Sequence, residues 1–256
     1  MRNTTIVVLL LMSGTLLAQK DVTTFGIQVK PMVPSKFFNS GAQTISQEYL
    51  TVDMTPKLGW NFGMLMRMGF TDMFSLETGI NVVRRNYNLN AYDAEFDTNL
   101  ELDYTFSGYE VPVQMLVYVK LGDHLWMNAS GGVSFDTYPS NAFSTNDAVV
   151  DTLVLDIEQR TFRRSWVQMA VLANYGFEYR TKDKGYWYLG ASYHRPFSDM
   201  ATTEVAYVRD PFSDLEPSYT EKVSADLSGS YLTVDLRYFF HEDPDRKRKT
   251  RPKPGR

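Results

Sequence analysis

"LGWNFGMLMRMGF", residues 58–70, alternates large apolar side chains with small or polar ones without interruption. The apolar set is Leu58, Trp60, Phe62, Met64, Met66, Met68 and Phe70, and the alternating set is Gly59, Asn61, Gly63, Leu65, Arg67 and Gly69. A period of two predicts a β-strand. A soluble barrel turns its large apolar residues inward, but here it is the small and hydrogen-bonding set that suits a narrow interior. The stretch therefore predicts a strand whose apolar face contacts lipid, in a ring that satisfies its own backbone hydrogen bonds.

The same pattern recurs in seven further segments: 25–30, 76–83, 109–121, 125–135, 167–180, 187–194 and 232–240. The connections alternate between short ones at 71–73, 122–124 and 182–185 and long ones at 35–56, 88–103, 137–163 and 198–228. Transmembrane barrels have brief turns at one end and long loops at the other. The fold class is therefore predicted to be all-β, an eight-stranded antiparallel up-and-down transmembrane β-barrel. A change of alternation phase at Gly108 predicts a β-bulge there.

The interior of an eight-stranded ring is just wide enough for side chains. Glycines in the inward-facing set leave room, and charged residues of the same set have the right phase to pair with one another. We expect a lumen closed by a polar network formed by Arg67, Glu77, Arg85, Glu110, Lys120, Glu178, Arg180, His194, Asp235 and Arg237.

The two ends of the chain differ from its body. Residues 1–18 have the positive start, short apolar core and small residue of an export signal, with cleavage expected after Ala18. Residues 19–240 form the predicted barrel, and the basic, proline-rich segment 241–256 is expected to be disordered and periplasmic. We therefore expect a bacterial outer-membrane protein with both termini in the periplasm.

Composition excludes several classes of function. The chain has no cysteine, so disulfides, thiolate metal sites and cysteine nucleophiles are ruled out. Its net charge is -4, with the basic residues concentrated in the tail, and an acidic body argues against a nucleic-acid partner.

Three passages resemble the small outer-membrane β-barrel family common in Bacteroidota, which includes PorT-type and OmpA-like barrels. They are the hairpin "LGWNFGMLMRMGFTDMFSLETGINV", the proline-containing strand in "YEVPVQMLVYVKLGDHLWMNASGGV", and the aromatic-ended final strand "SGSYLTVDLRYFF". The resemblance implies the barrel fold over nearly all of the mature chain. Members of that family serve in secretion, adhesion and anchoring, so it implies no single activity.

Few residues suggest chemistry. Ser192 and His194 share a face near Glu178, which is the residue set of a lipid hydrolase, but a hydrogen-bond network in the lumen is the favoured interpretation. The acidic segment with Asp93, Glu95, Asp97, Glu101 and Asp103 lacks EF-hand spacing and is interpreted as a solvated loop rather than a calcium site. No catalytic residue, cofactor or metal is predicted.

The resulting hypothesis is a non-enzymatic structural or interaction protein that acts through its outer loops, with an accessory role in protein secretion as one form of it. The alternatives are a membrane-embedded lipid hydrolase, a small-solute channel and a soluble barrel of the lipocalin type. Expected partners are outer-membrane lipid, envelope or secretion proteins, and cell-wall polymer at the basic tail.

Overall fold

The computed structural model describes residues 22–33, 41–71, 73–150, 153–181, 184–211 and 219–240. The predicted signal peptide (1–18) and basic tail (241–256) lie outside the described residues. Within them, no helix is long and apolar enough to cross a membrane. The described residues form thirteen strands: β1 Val22–Val33, β2 Gln43–Gln47, β3 Leu50–Gly69, β4 Phe74–Asp93, β5 Thr98–Lys120, β6 Leu125–Thr137, β7 Ala142–Val150, β8 Leu153–Arg163, β9 Val167–Arg180, β10 Tyr186–Pro196, β11 Ala201–Pro211, β12 Tyr219–Leu227 and β13 Tyr231–Phe239.

Eight of these strands form a closed circuit of antiparallel pairings, which we call the ring. Its order is β1, β3, β4, β5, β6, β9, β10 and β13, and β13 pairs back onto β1. Each ring strand contains one of the eight segments predicted from sequence. The short connections β3–β4, β5–β6 and β9–β10 and the first described residue of β1 lie together at one end, the turn end. At the opposite end β3, β4 and β5 extend beyond the ring, and we call it the extension end.

The strand count and the long loops differ from the prediction. Thirteen strands are present rather than eight, because the segments predicted as loops contain β2, β7, β8, β11 and β12 and lengthen β3, β4 and β5. These segments also alternate, but their apolar residues are separated by charged ones and by turns. That pattern is typical of half-buried strands in water. It is a weaker strand signal than the unbroken alternation of the ring segments.

Four of the five extra strands build a second layer at the extension end, whereas β2 pairs with β3 in the sheet of the ring. Strands β12, β11, β8 and β7 form a separate four-stranded antiparallel sheet. This sheet packs against the extensions of β3, β4 and β5, and the two layers together are called the sandwich. Its apolar core consists of Leu50, Val52, Met54, Leu89, Ala91, Leu100, Leu102, Tyr104, Leu155, Ile157, Val205, Tyr207, Val223 and Ala225.

Strand β5 shows how ring and sandwich differ. Its even-numbered residues face inward from Leu100 to Tyr118. In the sandwich these inward residues are apolar, as at Leu102 and Phe106, whereas in the ring they include Glu110 and Gln114. The outward residues change in the opposite direction, and the ring exposes Tyr109, Val111, Met115, Val117 and Val119. The polarity of the two faces therefore inverts within one strand.

The bulge predicted at Gly108 is wrong. Pairing of β5 with β4 runs through Gly108, which lies opposite Val83, without a register shift. The change of phase in the sequence marks the inversion of polarity, not a break in the backbone. A register shift does occur between Lys57 and Trp60 of β3, where the apolar even-numbered residues pass from inside to outside.

The sandwich core gives a direct stability prediction. Leu155 is fully buried (0% exposed), whereas Val149 on the same hairpin is 62% exposed. We expect Leu155→Ala to lower the free energy of unfolding by about 2–5 kcal/mol through lost burial and a cavity. Val149→Ala should change it by less than about 0.5 kcal/mol. Urea unfolding of the protein in detergent, followed by tryptophan fluorescence, measures both, and equal effects would contradict the assigned core.

Candidate functional site

The interior of the ring near the turn end contains an unbroken line of alternating charges, which we call the charge chain. It runs Arg180, Glu178, Arg67, Glu77, Arg237, Asp235 and Lys30. The shortest nitrogen–oxygen distance is 2.5 Å, for Arg180–Glu178, and the pairs Arg67–Glu178, Arg237–Glu77 and Arg237–Asp235 each lie at 2.6 Å. Every carboxylate contacts two cations, so each buried charge is compensated.

The strand pairings place these side chains. Arg67 of β3 lies directly opposite Glu77 of β4 across the short β3–β4 connection, so the hairpin itself fixes that pair. Glu178 comes from β9 and reaches Arg67 across the interior. The Arg67 guanidinium also lies 3.8 Å from the centre of the Phe239 ring. Glycines make room, since a Cβ on Gly176 or Gly190 would overlap the hydroxyl of Tyr188.

A second polar group lies in the ring closer to the extension end. His194 Nε2 is 2.8 Å from Asp136 Oδ2 and 3.7 Å from Glu110 Oε1. Arg85 Nη2 lies 3.3 Å from Glu110 Oε1, and the hydroxyl of Tyr231 donates to Glu110 at 2.7 Å. This set, called the histidine cluster, is defined as Arg85, Glu110, Asp136, His194 and Tyr231. It is separate from the charge chain.

Most of the predicted network is brought together, with one error. Lys120 is exposed at the end of β5, where its Nζ lies 5.8 Å from the Trp126 ring, so it does not belong to the interior network. Its phase is correct, but the strand ends before its side chain can be enclosed. Arg180 is partly exposed and lies at the rim. The other eight predicted residues are buried.

Two interior residues were missed. Lys30 shares the inward phase of Gly26 and Gln28, and Asp136 continues the phase of Ser134. Both lie at the edge of their predicted segments, where the end of a strand is hardest to locate. Lys30 already lies on the inward face of the predicted segment 25–30, and one more period of the segment 125–135 would have included Asp136.

The residues suggested for a lipid hydrolase have separate partners. Ser192 Oγ donates a hydrogen bond to Asp235 and accepts one from the Asn174 side chain at 2.8 Å. His194 contacts Asp136 instead, and Glu178 binds two arginines. The described contacts therefore place Ser192 in the charge chain and His194 in the histidine cluster.

The acidic segment at the β4–β5 connection is tied into the sandwich. Asp93 is buried and accepts hydrogen bonds from Tyr207 at 2.7 Å and from Arg209 Nε at 2.9 Å. Burial and this bond to Asp93 raise the pKa of Tyr207. Glu95 pairs with the same arginine, and Asp103 pairs with Lys57 at 2.7 Å. Asp97 accepts from Tyr92, and Glu101 points outward. These acids bind basic or hydroxyl groups and do not converge on a calcium-sized site.

Within the described residues, only Glu110, Asp136 and His194 bring three potential metal-ligand atoms within 4.8 Å of one another. No metal site was predicted from the sequence, where these residues are far apart.

The closed ring, its apolar exterior and its charged interior agree with the comparison to protein families. Residues 18–202 match the model described as an outer membrane protein beta-barrel domain. The chain belongs to this outer-membrane β-barrel family. It is therefore a protein of the bacterial outer membrane, as predicted from the strand pattern.

Two solved structures are similar to this barrel protein. The outer membrane protein OprG from Pseudomonas aeruginosa has 14% identity and a TM-score of 0.46, covering 88% of this chain and 99% of that one. The transport unit of the autotransporter AIDA-I from Escherichia coli has 10% identity and a TM-score of 0.23, covering 89% and 92%. No curated protein matches the barrel protein.

The charge chain predicts a large effect for one neutral substitution. Glu77 bridges Arg67 and Arg237 and is 3% exposed. We expect Glu77→Gln to lower the free energy of unfolding of the barrel by about 3–5 kcal/mol, because two buried guanidiniums lose a shared counter-charge. Lys120→Gln is the control and should cost less than about 0.5 kcal/mol. Urea midpoints in detergent measure both, and a Glu77→Gln midpoint as high as that of the control would refute the role of the chain.

Proposed function

We propose that the ring is an eight-stranded transmembrane barrel with its turn end in the periplasm, and that the sandwich projects outside the cell as a platform for binding other proteins. The observation that supports this most strongly is the inversion of polarity along β4 and β5. The ring presents apolar side chains outward, whereas the sandwich buries its apolar side chains in the manner of a water-soluble domain. A change of solvent along the strand accounts for both patterns.

The length of the apolar band fits a bilayer. From Tyr109 to Val119 the exposed side chains of β5 are all apolar or aromatic. The length of this stretch matches the roughly 9–11 residues that a tilted strand needs to cross the hydrocarbon core of a bilayer. Exposed aromatics lie near both ends of the band, with Trp60 and Tyr109 on one side and Trp187 and Phe240 on the other. Such belts are typical of membrane interfaces.

We propose that the barrel does not conduct. The charge chain and the histidine cluster fill successive levels of the lumen. Above them lies an apolar layer of Phe106, Tyr138, Met200, Ala201 and Leu227, followed by the sandwich core. An ion would have to pass a cross-linked set of buried charges and then a hydrophobic core, which is costly.

The barrel is proposed to be non-enzymatic, since Ser192 and His194 have different partners. An accessory role in secretion, as in PorT-type relatives, is the form of partner binding that the sequence resemblance suggests. The basic segment 241–256 would provide a second, periplasmic contact with anionic cell-wall polymer.

The sandwich has features that suit a protein partner. Among the described strands, β2 pairs only with β3, and β12 only with β11. The two edges lie side by side, where the Gln43 side chain of β2 donates to the Asp226 carbonyl of β12 at 3.0 Å. Edge strands offer backbone donors and acceptors to an added strand of another protein. A partner strand added here would replace the contact between Gln43 and Asp226 and would leave the ring closed.

The membrane placement is tested with spin labels. The chain has no cysteine, so Phe62→Cys, Val171→Cys and Val149→Cys each provide one labelling site. In bilayers we expect labels at 62 and 171 to be relaxed by oxygen, which concentrates in lipid, and the label at 149 to be relaxed by a water-soluble nickel complex. Water accessibility at 62 and 171 would exclude the proposed membrane span.

Conduction is tested by planar-bilayer recording of the purified barrel. We expect no steady conductance, because the lumen is blocked at several levels. A porin reconstituted in the same lipid serves as the positive control. A stable, reproducible open level would overturn the closed-barrel proposal and favour the channel alternative.

Partner binding is tested by photo-crosslinking in intact cells. A photoreactive amino acid at Tyr49 or Val149 places the probe on the sandwich, and one at Met64 places it on the apolar outer face as a control. We expect discrete protein adducts from the sandwich positions and none of the same mass from Met64. If a panel of sandwich positions yields no protein adduct, the platform role is wrong.

A further inference from the structure

The histidine cluster contains three metal-ligand side chains on three different strands. Glu110 of β5 and Asp136 of β6 are direct partners in the β5–β6 register, so the sheet holds their carboxylates side by side on its inner face. His194 of β10 reaches both, with its Nε2 at 2.8 Å from Asp136 Oδ2 and 3.7 Å from Glu110 Oε1. All three residues are buried.

We propose that Glu110, Asp136 and His194 form a binding site for a divalent transition-metal ion, with Zn²⁺ as the ion that fits best. Bonds of about 2.0–2.2 Å in a tetrahedral site put neighbouring ligand atoms roughly 3.3–3.6 Å apart. The two distances given above bracket that range, so small side-chain rotations suffice. One imidazole with two carboxylates is a donor set that suits zinc better than magnesium or calcium, which prefer oxygen alone.

The surrounding contacts orient the three ligands. The ring of His194 stacks on Tyr231 with centroids 4.5 Å apart and an interplanar angle of 10°. The hydroxyl of Ser134 donates to Asp136 Oδ1 at 2.5 Å, leaving Oδ2 directed at the histidine. Tyr231 donates to Glu110, as described above. Outer contacts of this kind hold metal ligands in place and strengthen binding.

The charge of the cluster also favours a cation. Among the described residues, His194 is the only basic side chain within salt-bridge distance of Asp136, and Glu110 has Arg85 as its permanently charged partner, at 3.3 Å. Within the cluster, two carboxylates therefore face one permanent positive charge, that of Arg85. Arg85 is held to Glu110 through Nη2 only, while its Nε and Nη1 have no hydrogen-bond partner. A divalent ion would place positive charge directly between these two carboxylates.

A small cavity borders the histidine cluster. A cavity of about 50 Å³ opens beside the junction of ring and sandwich and is lined by Arg85, Tyr231, Met32 and Gly229. A water molecule needs roughly 10–15 Å³ measured in this way, so the cavity holds a few. The cavity touches the cluster at Arg85 and Tyr231 and not at the three ligands, so an ion that enters through it must pass these two side chains.

The test is metal binding by the barrel purified from membranes in detergent with a non-histidine affinity tag. Titration with Zn²⁺ is followed by calorimetry, with millimolar Mg²⁺ present to occupy weak carboxylate sites. We expect one Zn²⁺ per chain and a rise in the unfolding temperature. His194→Gln and Asp136→Asn, which nearly preserve shape, should each weaken binding at least about 100-fold, since even outer contacts are worth 10–100-fold.

His124→Ala is the matched control, because His124 lies in the β5–β6 turn outside the cluster and should leave binding unchanged. Folding of each variant is checked by its heat-modifiable mobility in gel electrophoresis. If neither cluster variant folds, the visible absorption of Co²⁺ bound to the wild-type barrel decides: a spectrum with nitrogen and oxygen ligands, displaced by one equivalent of Zn²⁺, supports the site. Wild-type protein without a stoichiometric zinc site, or folded cluster variants that bind as tightly as His124→Ala, would overturn it.

Discussion

Hydrocarbon offers no partner to a backbone amide or carbonyl, so a strand that crosses it must find both neighbours in its own protein. The ring meets this requirement, since its pairings return from β13 to β1. Closure in turn encloses a narrow space cut off from lipid. Across the middle of the ring the outer face can then be apolar, and charged side chains such as Arg67, Glu77 and Arg237 are directed inward, where each must find a partner.

The charge chain satisfies those inward groups, but its value to stability is limited by the cost of removing charges from water. A well-packed apolar interior is often as stable as a buried ion pair, or more so. The stronger consequence is for register. A slip of β3 by one residue would turn Arg67 toward lipid and leave Glu77 without its partner. We infer that the chain specifies one arrangement of strands that are otherwise similar alternating sequences.

The sequence was sufficient for the ring because lipid-facing strands leave a strong period-two signal, as in residues 58–70. It was insufficient for the sandwich, because the apolar residues of its strands are separated by charged residues and by turns. It was also insufficient for Lys120, because the exposure of that side chain depends on where β5 ends. The histidine cluster was out of reach for another reason. Glu110, Asp136 and His194 meet only because β5, β6, β9 and β10 are neighbours in the ring, and single-sequence patterns do not give the distances between strands.

The change from ring to sandwich is achieved in two ways. In β5 the backbone continues straight and the sequence exchanges apolar and polar positions at Gly108. In β3 the apolar residues stay even-numbered, and the register shift between Lys57 and Trp60 turns them from the sandwich core to the exterior of the ring. Because β3, β4 and β5 run from the ring into the sandwich, the sandwich is a continuation of the barrel wall. A force applied to it acts directly on the strands that hold Arg67, Glu77 and Glu110.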